Sequence, residues 1–473
     1  MSDNEVGAEV VSHREYRTPL NGWRTFLAVW ITQSISAFGS NLTFFSLTIW
    51  ITTVLYPRPD QKQALGVALS AVSLAFTLTV IFGGPIAGAW ADRHDRRRTM
   101  MAMDFASGAL SLTLVGLIGT DALNLPLLLL VSVLFAAAGA FHGSSFEASY
   151  AMIVPDQLLP RANGMMQTTL ALSGVLSPAV AAAILSLPGL ARQGHIPGSL
   201  GTVLGRMANG MPIAIAIDSM TFFAAALTLL ALRIPSPART ELRSNDGRVK
   251  KTMWEDIREG ALYIFRRRPL LWLLSMLALL NLISAPVNVL FPLLIKFNLA
   301  TDWSRRGFTF ETALALVSTM ASVGGVIGGL IVSSWGGLKR HRIYGVFVPM
   351  VAGGLFQVVL GFSPYLFLSS SVLAAASLLA PFAGAHSQTI WQAQTPRELQ
   401  GRVFSVRRLI AQVTVPFGVA MGGWLAGAFN PGTVIAVSGV TVTVFSVLQF
   451  FNPQLVRVED KELLDQMAEK AQL

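Results

Sequence analysis

Three acidic side chains stand well inside long apolar stretches of the sequence, at Asp104, Glu147 and Asp218. A carboxyl group in hydrocarbon is costly, so it faces a polar partner or a water-filled cavity. Burial favours its neutral form, and a neighbouring cation favours its charged form. A carboxyl group that moves between two such surroundings can bind a proton in one and release it in the other. The chemistry that these residues indicate is therefore reversible proton binding.

Each of these acids also has a structural interpretation. Asp104 lies within two helical turns of an arginine cluster, which favours a structural or gating ion pair over proton chemistry. Asp218 fits proton coupling and an ordinary helix–helix hydrogen bond equally well. Glu147, between His142 and Tyr150, favours proton coupling or substrate binding. His142 is a candidate proton relay, although a lone histidine is more often a satisfied core residue.

Six further polar side chains in the apolar stretches are candidates for lining a cavity between helices. They are Gln33, Asn41, Asn281, Asn288, His386 and Gln388. With aromatic neighbours such as Trp30 and Phe291, they would suit an apolar or amphipathic small molecule. The alternative for each of them alone is a hydrogen bond that holds two helices together.

The elements that must position these residues are helices long enough to cross a membrane. Of the 473 residues, 53% are hydrophobic and only 13% are charged, which is about half the charge of a soluble protein. Twelve apolar stretches can each cross about 30 Å of hydrocarbon as a helix. They lie near residues 24–52, 64–90, 99–119, 125–153, 163–187, 209–232, 270–296, 311–335, 343–362, 365–390, 405–428 and 432–451. The sequence predicts an all-α membrane protein with twelve transmembrane helices.

The distribution of basic residues predicts the orientation of these helices. With both termini in the cytoplasm, 28 of the 35 lysine and arginine residues fall in cytoplasmic segments and 7 fall outside. Basic residues concentrate on the cytoplasmic side of membrane proteins, where they also bind anionic lipids. This arrangement accounts for the net charge of +10, and the sequence predicts no nucleic-acid partner.

Several classes of chemistry lack their sequence motifs. The chain has no cysteine, which excludes disulfides, thiol catalysis and thiolate metal sites. It has no glycine-rich phosphate loop, so ATP does not drive chemistry on this chain. The six histidines are scattered and do not form a catalytic or metal-binding pattern. The sequence predicts neither an enzyme nor a bound cofactor or metal.

An internal repeat recurs at a spacing of 241 residues. Two patterns show it at matching helix ends: Gly83, Gly84 and Gly88 recur as Gly324, Gly325 and Gly329, and Pro155, Leu158 and Arg161 recur as Pro396, Leu399 and Arg402. The offset spans an even number of helices, so the two halves run in the same direction through the membrane. In such parallel repeats the substrate path lies between the halves.

The repeat predicts two six-helix bundles, at residues 23–233 and 269–452. Residues 234–268 form a cytoplasmic linker that contains an amphipathic helix. Residues 1–22 and 453–473 are cytoplasmic tails.

The loop from Gly88 to Arg98 reads GAWADRHDRRR and resembles the signature loop of the major facilitator superfamily. It departs from that signature at two positions, where Trp90 replaces the usual leucine and Asp95 the usual glycine. The resemblance implies a protein whose two bundles alternate between open states, with this loop controlling one gate. The gating residues that it implies are Gly88, Asp92, Arg93, Arg97 and, in the following helix, Asp104.

Further positions resemble the drug:proton antiporter branch of that superfamily, which includes macrolide-efflux pumps and the enterobactin exporter. They include Asp95, Asp104 and the segment from Asp218 to Phe223. This resemblance implies a monomeric, multi-pass inner-membrane protein that exports a hydrophobic or amphipathic, drug-like molecule in exchange for protons by alternating access. The glycine-rich motif in helix five of other drug exporters is only partial here, at Gly174 and Ser177, so the direction of transport is an inference. The alternatives left open are export of a siderophore or metabolite, an uncoupled facilitator and, more distantly, a lipid scramblase or a membrane-embedded enzyme.

Overall fold

The computed structural model describes residues 21–91, 93–232, 234, 253–396, 399–460, 462 and 464. Asp92 of the signature loop, most of both predicted tails and the first part of the predicted linker lie outside the described residues.

Twelve helices in the described chain are long and apolar enough to cross a membrane. They are α1 Gly22–Trp50, α2 Lys62–Ala91, α3 Arg96–Gly119, α4 Leu125–Ile153, α5 Leu159–Arg192, α6 Met211–Ala231, α7 Arg268–Leu293, α8 Phe310–Trp335, α9 Tyr344–Phe362, α10 Leu366–Gln394, α11 in two segments, Gln400–Val413 and Val415–Ala428, and α12 Pro431–Gln449. Shorter helices are Gly198–Gly205, Met253–Arg266, Ala300–Arg305 and Pro453–Val456. No strand occurs among the described residues, and the predicted all-α class with twelve spanning helices is confirmed.

Polar caps end several of the apolar helices. The side chain of Asp95 accepts a hydrogen bond from the Arg98 N–H at the start of α3, and Asn124 and Asn430 cap α4 and α12 in the same way. Such caps satisfy backbone N–H groups that the first helical turn leaves free. At the C-terminal end of α8, Gly336 adopts a left-handed conformation with φ of 79°, which glycine adopts without steric cost. Short polar residues therefore set where α3, α4 and α12 begin, and a glycine sets where α8 ends.

Both halves repeat the same local geometry. The Leu158 N–H donates to the Pro155 carbonyl at 2.8 Å, and the Leu399 N–H donates to the Pro396 carbonyl at 3.0 Å. The first helix of each half also ends in one π-helical turn, Ile51–Leu55 after α1 and Leu294–Asn298 after α7. The repeat found in the sequence is thus a repeat of backbone structure, with α1–α6 and α7–α12 as its two units.

Among the described residues, the two halves share a hydrophobic core at one face of the molecule only. We call the face that holds the starts of α1, α3 and α7 the basic face, and the other the opposite face. At the opposite face, one cluster joins both halves, with Trp50 and Leu65 from the first half and Leu294 and Ile435 from the second. At the basic face, each half has its own cluster. The halves therefore pack together at the opposite face and separate toward the basic face.

Close contacts between α2 and α11 seal the opposite face. The Ser70 hydroxyl donates to the Val419 carbonyl at 2.9 Å, and Lys62 donates to the Phe429 carbonyl at 2.5 Å. A Cβ atom added to Gly66 would lie 2.2 Å from the Ala426 Cβ, so this glycine permits the close approach of the two helices. We call this contact the α2–α11 seal.

Two other contacts join the halves. The Lys296 ammonium, just after α7, donates to the carbonyls of Thr52 and Tyr56 at 2.5 and 2.7 Å. Near mid-depth, the Thr319 hydroxyl of α8 donates to the Val175 carbonyl of α5 at 3.3 Å. In the described part of the chain, all hydrogen bonds between the halves lie between the level of Thr319 and the opposite face.

Toward the basic face, the same helix faces lose their partners. On α5 and α8, Leu170 and Leu330 are 63% and 64% exposed. On α2, a Cβ atom added to Gly84 would meet nothing within 4 Å, and Gln412 of α11 is exposed. We call this gap between the halves the cleft. The conformation is therefore closed at the opposite face and open at the basic face.

The helix Met253–Arg266 packs against the second half. Its Tyr263 and Ile264 are buried in the cluster at the basic end of that half. The Arg402 Nη1 lies 2.6 Å from the Glu259 Oε2, which links the helix to the start of α11. This helix thus attaches the chain between the halves to the second bundle.

Outside the spanning helices, Asp302 fixes the connection between α7 and α8. Its carboxylate accepts hydrogen bonds from the Arg306 side chain and from the Leu366 N–H, both at 2.9 Å. The hydrogen bond from Arg306 and that from the Leu366 backbone hold the pKa of Asp302 below its ordinary value. The charged carboxylate therefore ties this connection to the start of α10.

Candidate functional site

A buried polar cluster in the first half brings together Asp104, His142 and Gln33, from α3, α4 and α1. Gln33 Nε2 donates to Asp104 Oδ2 at 3.0 Å. His142 Nε2 lies 3.3 Å from Asp104 Oδ1, and the side chains are 17% and 3% exposed respectively. At this distance a protonated imidazole forms an ion pair with the carboxylate. The cluster is therefore a pair of titratable groups in which only the histidine has contact with the surroundings.

Asp104 does not lie against the arginine cluster, the partner that the sequence favoured for it. Arg97 caps the end of α6, donating to the carbonyls of Leu229 and Leu230 at 2.7 Å each, and Arg98 pairs with Asp95 at 3.9 Å. Asp104 lies eight residues beyond the start of α3, about 12 Å along the helix. Its partners come instead from neighbouring helices at the same depth.

Asp218 of α6 is fully buried and accepts hydrogen bonds from three hydroxyl groups. Thr43 and Ser111 donate to its Oδ2 at 2.7 and 3.2 Å, and Ser40 is 3.4 Å from its Oδ1. A Cβ atom added to Gly39 would lie 2.9 Å from this carboxylate, so the glycine makes room for it against α1. Asp218 therefore joins α1, α3 and α6.

The two acidic clusters follow each other along α1 and α3. Ser111, which donates to Asp218, lies two helical turns beyond Asp104 on α3, a distance of about 10 Å. Between these levels, Ser36 of α1 and Ser107 of α3 are both buried. A column of polar side chains thus runs from His142 toward the opposite face inside the first half. We call it the polar column.

Replacing Asp218 by valine is expected to destabilise the protein by about 2 kcal/mol, because buried hydroxyl donors lose their acceptor. Ser40 alone has a substitute acceptor, the Ser36 carbonyl at 3.1 Å. Asp218→Asn keeps one acceptor oxygen and should cost less. The measurement is the thermal unfolding midpoint in detergent. Glu147→Gln, which changes an exposed acid in the same half, is the control and should leave the midpoint unchanged; an equal fall in that variant would contradict the assignment.

The second half contains a cavity of about 420 Å³. Its lining comes from α7, α9, α10, α11 and α12 and is apolar except for Asn281, Ser284, Gln357, Ser387 and Arg407. A cavity of this size with few polar groups is typical of a site for a small molecule. Asn281 and Gly384 are exposed, so the cavity is open at its α7–α10 side.

Arg407 is the charged group of this cavity, seven residues into α11 and about 10 Å from the basic face. Its Nη1 donates to Gln388 Oε1 at 2.7 Å, and its guanidinium carbon lies 5.2 Å from the centre of the Trp391 ring. The orientation predicted from the sequence placed Arg407 among the 28 cytoplasmic basic residues. In the structure, its position seven residues into α11 places Arg407 inside the bundle. The sequence pattern did not show this depth.

The remaining residues that the sequence proposed for coupling or cavity lining lie apart from these two sites. Glu147 is exposed on α4, five residues from His142 toward the basic face. Asn41 and Asn288 are exposed, and Asn41 donates to the Ala37 carbonyl of its own helix at 2.8 Å. The structure brings neither of these asparagines to the polar column or to the cavity in the second half.

His386 lies outside the cavity and holds a loop in place. Its Nδ1 is 2.7 Å from the Phe382 carbonyl, and its Nε2 accepts from the Leu338 N–H at 2.8 Å. Both contacts require the neutral ring with the proton on Nδ1. The ring also fills the space beside Gly337 and Gly345. His386 is therefore placed as a structural residue.

The signature loop borders the cleft. A Cβ atom added to Gly88 would meet nothing within 4 Å, and Arg93 is exposed. Arg96 is buried, and donates to the carbonyls of Ala91 and Ala148 at 3.1 and 3.0 Å. The sequence did not single out Arg96 from its arginine neighbours. Its position at the first turn of α3, facing α4, distinguishes it.

A second cavity lies between α3 and α4 near the basic face, with a volume of about 850 Å³. Alanine and larger apolar side chains of the two helices form most of its wall, and the rings of Trp90 and His94, stacked with their centres 3.6 Å apart, form one end. It does not include the side chains of the polar column.

Twelve spanning helices in two parallel repeats, joined at one face and open at the other, with buried titratable groups near mid-depth, define a membrane transporter. The family model of the Major Facilitator Superfamily matches residues 29–418, and the chain belongs to that superfamily. The resemblance seen in the signature loop is thereby confirmed.

Macrolide efflux protein A of Streptococcus pyogenes is 24% identical to this chain over 435 residues, covering 90% of this chain and 96% of that protein. Enterobactin exporter EntS of Citrobacter koseri is 24% identical over 400 residues, covering 82% and 85%. The crystal structure of a bacterial homologue of the human lysosomal transporter Spinster, inward-facing and unoccupied, has a TM-score of 0.61 at 16% identity, covering 94% of this chain and 98% of that one. The chain is thus a multi-pass membrane transporter with efflux-pump relatives, not an enzyme.

Proposed function

We propose that the protein exports a hydrophobic or amphipathic small molecule from the cell in exchange for protons. The observation that carries this proposal is the pair Asp104 and His142, 3.3 Å apart within the membrane-spanning part of the first half. Ionisable groups in that position are costly and are associated with proton relays. The relatives that are named as efflux proteins support the direction of transport.

In this proposal the basic face lies in the cytoplasm, and the protein is in the inner membrane. The basic residues support this orientation. The described conformation then opens to the cytoplasm, where a molecule in the membrane or the cytosol enters the cleft between the halves. Closing the cleft and opening the α2–α11 seal would expose the molecule to the outside.

Protons would use the polar column while the substrate uses the cleft and the second half. His142 is the member of its pair with surface exposure, so it would exchange the proton with water and pass it to Asp104. Asp218, two turns farther along the column, is the second carboxylate that we propose for this path. Glu147, exposed toward the basic face, would collect protons or a polar part of the substrate at the cleft.

Transport into everted membrane vesicles tests the proposal. Respiration acidifies their interior, so a proton-coupled exporter should accumulate a labelled macrolide, a neutral dye or an amphipathic anion above the level of vesicles without the protein. A protonophore should abolish the accumulation. Accumulation that survives the protonophore would contradict coupling, and equality with empty vesicles across all three probes would contradict drug-like export and favour a siderophore or metabolite substrate.

A further inference from the structure

The cavity in the second half contains a cation that has no carboxylate partner among the residues the structure describes. Arg407 is half-buried at a depth of about 10 Å from the basic face. Glu259, whose helix packs against the start of α11, pairs with Arg402 instead. Because no carboxylate of the described chain pairs with Arg407, the cavity holds an unbalanced positive charge. A charge at such depth is costly unless it is paired.

The orientation of Arg407 is fixed by two neighbours that leave its charge uncompensated. Gln388 accepts one hydrogen bond from Nη1, and the face of Trp391 lies under the guanidinium group. A guanidinium group has five N–H donors. In the described chain Gln388 is the only side chain that accepts from Arg407, so most of the donors remain for water or a ligand.

Two further polar groups of the same cavity are buried without a hydrogen-bond partner among the described residues. They are Gln357 Nε2 and Ser387 Oγ, and both residues line the cavity together with Arg407. An amide nitrogen and a hydroxyl group can donate hydrogen bonds, as can the arginine. A buried donor without an acceptor is rare in folded proteins, and a ligand that carries acceptor oxygens and negative charge would satisfy all three groups.

From this geometry we infer that the cavity binds the anionic group, a carboxylate, sulfonate or phosphate, of an amphipathic molecule. Arg407 pairs with the anion, Gln357 and Ser387 complete its hydrogen bonds, and the aliphatic side chains of α7, α9 and α10 contact the apolar body. No acidic residue lines the cavity in the part of the chain that the structure describes. The binding of this molecule can be inferred without the proposed function. The further step, that the bound molecule is also the transported substrate, rests on the proposed function.

Binding of three dansyl probes to the purified protein in zwitterionic lipid nanodiscs tests the inference. Dansylglycine is anionic, dansylamide neutral and dansylcadaverine cationic, and energy transfer from tryptophan reports their binding. Dansylglycine should bind about 10-fold or more tightly than dansylamide, because a charge-assisted hydrogen bond adds to the apolar contact. Arg407→Gln should remove this preference while retaining dansylamide binding, which shows that the variant is folded.

Arg408→Gln is the matched control, since Arg408 is exposed on the same helix and does not line the cavity. It should keep the preference of the wild-type protein, and Arg407→Lys should keep part of it. Equal binding of dansylglycine and dansylamide by the wild-type protein, or the same loss in Arg408→Gln, would overturn the inference. The binding assay needs no proton gradient. A negative result in this assay would therefore contradict the anion site without bearing on proton-coupled export.

The anionic group has two possible sources, a soluble amphipathic anion and a lipid headgroup. Repeating the titration in nanodiscs that contain phosphatidylglycerol distinguishes them. If dansylglycine binding weakens there in the wild-type protein and in Arg408→Gln, but not in Arg407→Gln, which has lost the preference for anions, the lipid headgroup is the occupant. Unchanged binding identifies the soluble anion.

Discussion

Gly66→Leu should reduce transport about 100-fold by preventing the opposite face from closing. A Cβ atom at Gly66 would lie 2.2 Å from the Ala426 Cβ, so a leucine cannot fit while the α2–α11 seal is intact. Overpacking of this kind costs about 3 kcal/mol, and a shift of that size changes the ratio of two conformations about 100-fold. The variant should remain folded and stay open at the opposite face.

Gly84→Leu should also abolish transport, but by trapping the other state. Gly84 has nothing within 4 Å of an added Cβ atom, so leucine fits the described conformation. In the alternating-access cycle that we propose, closing the cleft brings this part of α2 toward α11, and the leucine would obstruct that movement. The two glycine variants should therefore lose transport with opposite accessibility.

Cysteine accessibility measures this difference directly, because the chain has no native cysteine. Ser70→Cys reports on the opposite face and Gln412→Cys on the cleft, each labelled with a membrane-impermeant maleimide. Relative to the parent protein, Ser70→Cys should be labelled faster with Gly66→Leu and more slowly with Gly84→Leu. Gly116→Leu, in an open position on α3, is the folding control. Identical labelling patterns in the two variants would contradict the assignment of both gates.

Asp104→Asn should abolish proton-driven accumulation of substrate while leaving downhill exchange in place. The asparagine keeps the volume of the side chain and an oxygen acceptor for Gln33, but it cannot bind and release a proton. We expect proton-driven uptake into everted vesicles to fall to the level of vesicles without the protein. His142→Gln should reduce the rate of uptake less completely, because water can substitute for a relay but not for the carboxyl group.

The measurement compares uptake under a proton gradient with exchange of labelled for unlabelled substrate at equal pH. Asp95→Asn is the matched control: it lies at the start of the same helix, and asparagine caps a helix as well as aspartate does. Full proton-driven uptake by Asp104→Asn would exclude Asp104 from coupling and leave Asp218 and Glu147 as the candidates.

The helices and their repeat could be predicted from the sequence because the bilayer sets their length and the repeat sets their order. The predicted stretches 125–153 and 311–335 agree with α4 and α8 to within a residue. Agreement is poorer where polar residues extend a helix beyond the hydrocarbon, as at α5, which begins at Leu159 rather than near 163.

The partners of the buried polar groups could not be predicted in the same way. Asp104 lies near arginines in sequence, yet its contacts are with His142 and Gln33, which are 38 and 71 positions away. Which side chains meet across a bundle depends on how each helix is rotated, and nearly uniform apolar sequences hold little information about rotation. Arg407 was missed for another reason: the apolar stretch begins near residue 405, whereas α11 begins at Gln400, so Arg407 lies deeper in the helix than the hydropathy indicated.

The uncompensated charge of Arg407 has a consequence for the energy source of the transporter. A cycle that carries one monovalent anion out and one proton in moves two positive charges inward, whereas export of a monovalent cation for one proton moves none. The membrane potential contributes about 2.3 kcal/mol per charge for each 100 mV. At 100 mV, the anion exporter would gain about 4.6 kcal/mol from the voltage alone, enough to concentrate its substrate outside more than about 1,000-fold. Such a transporter would keep working at an external pH equal to that of the cytoplasm, where an electroneutral exchanger has no driving force left.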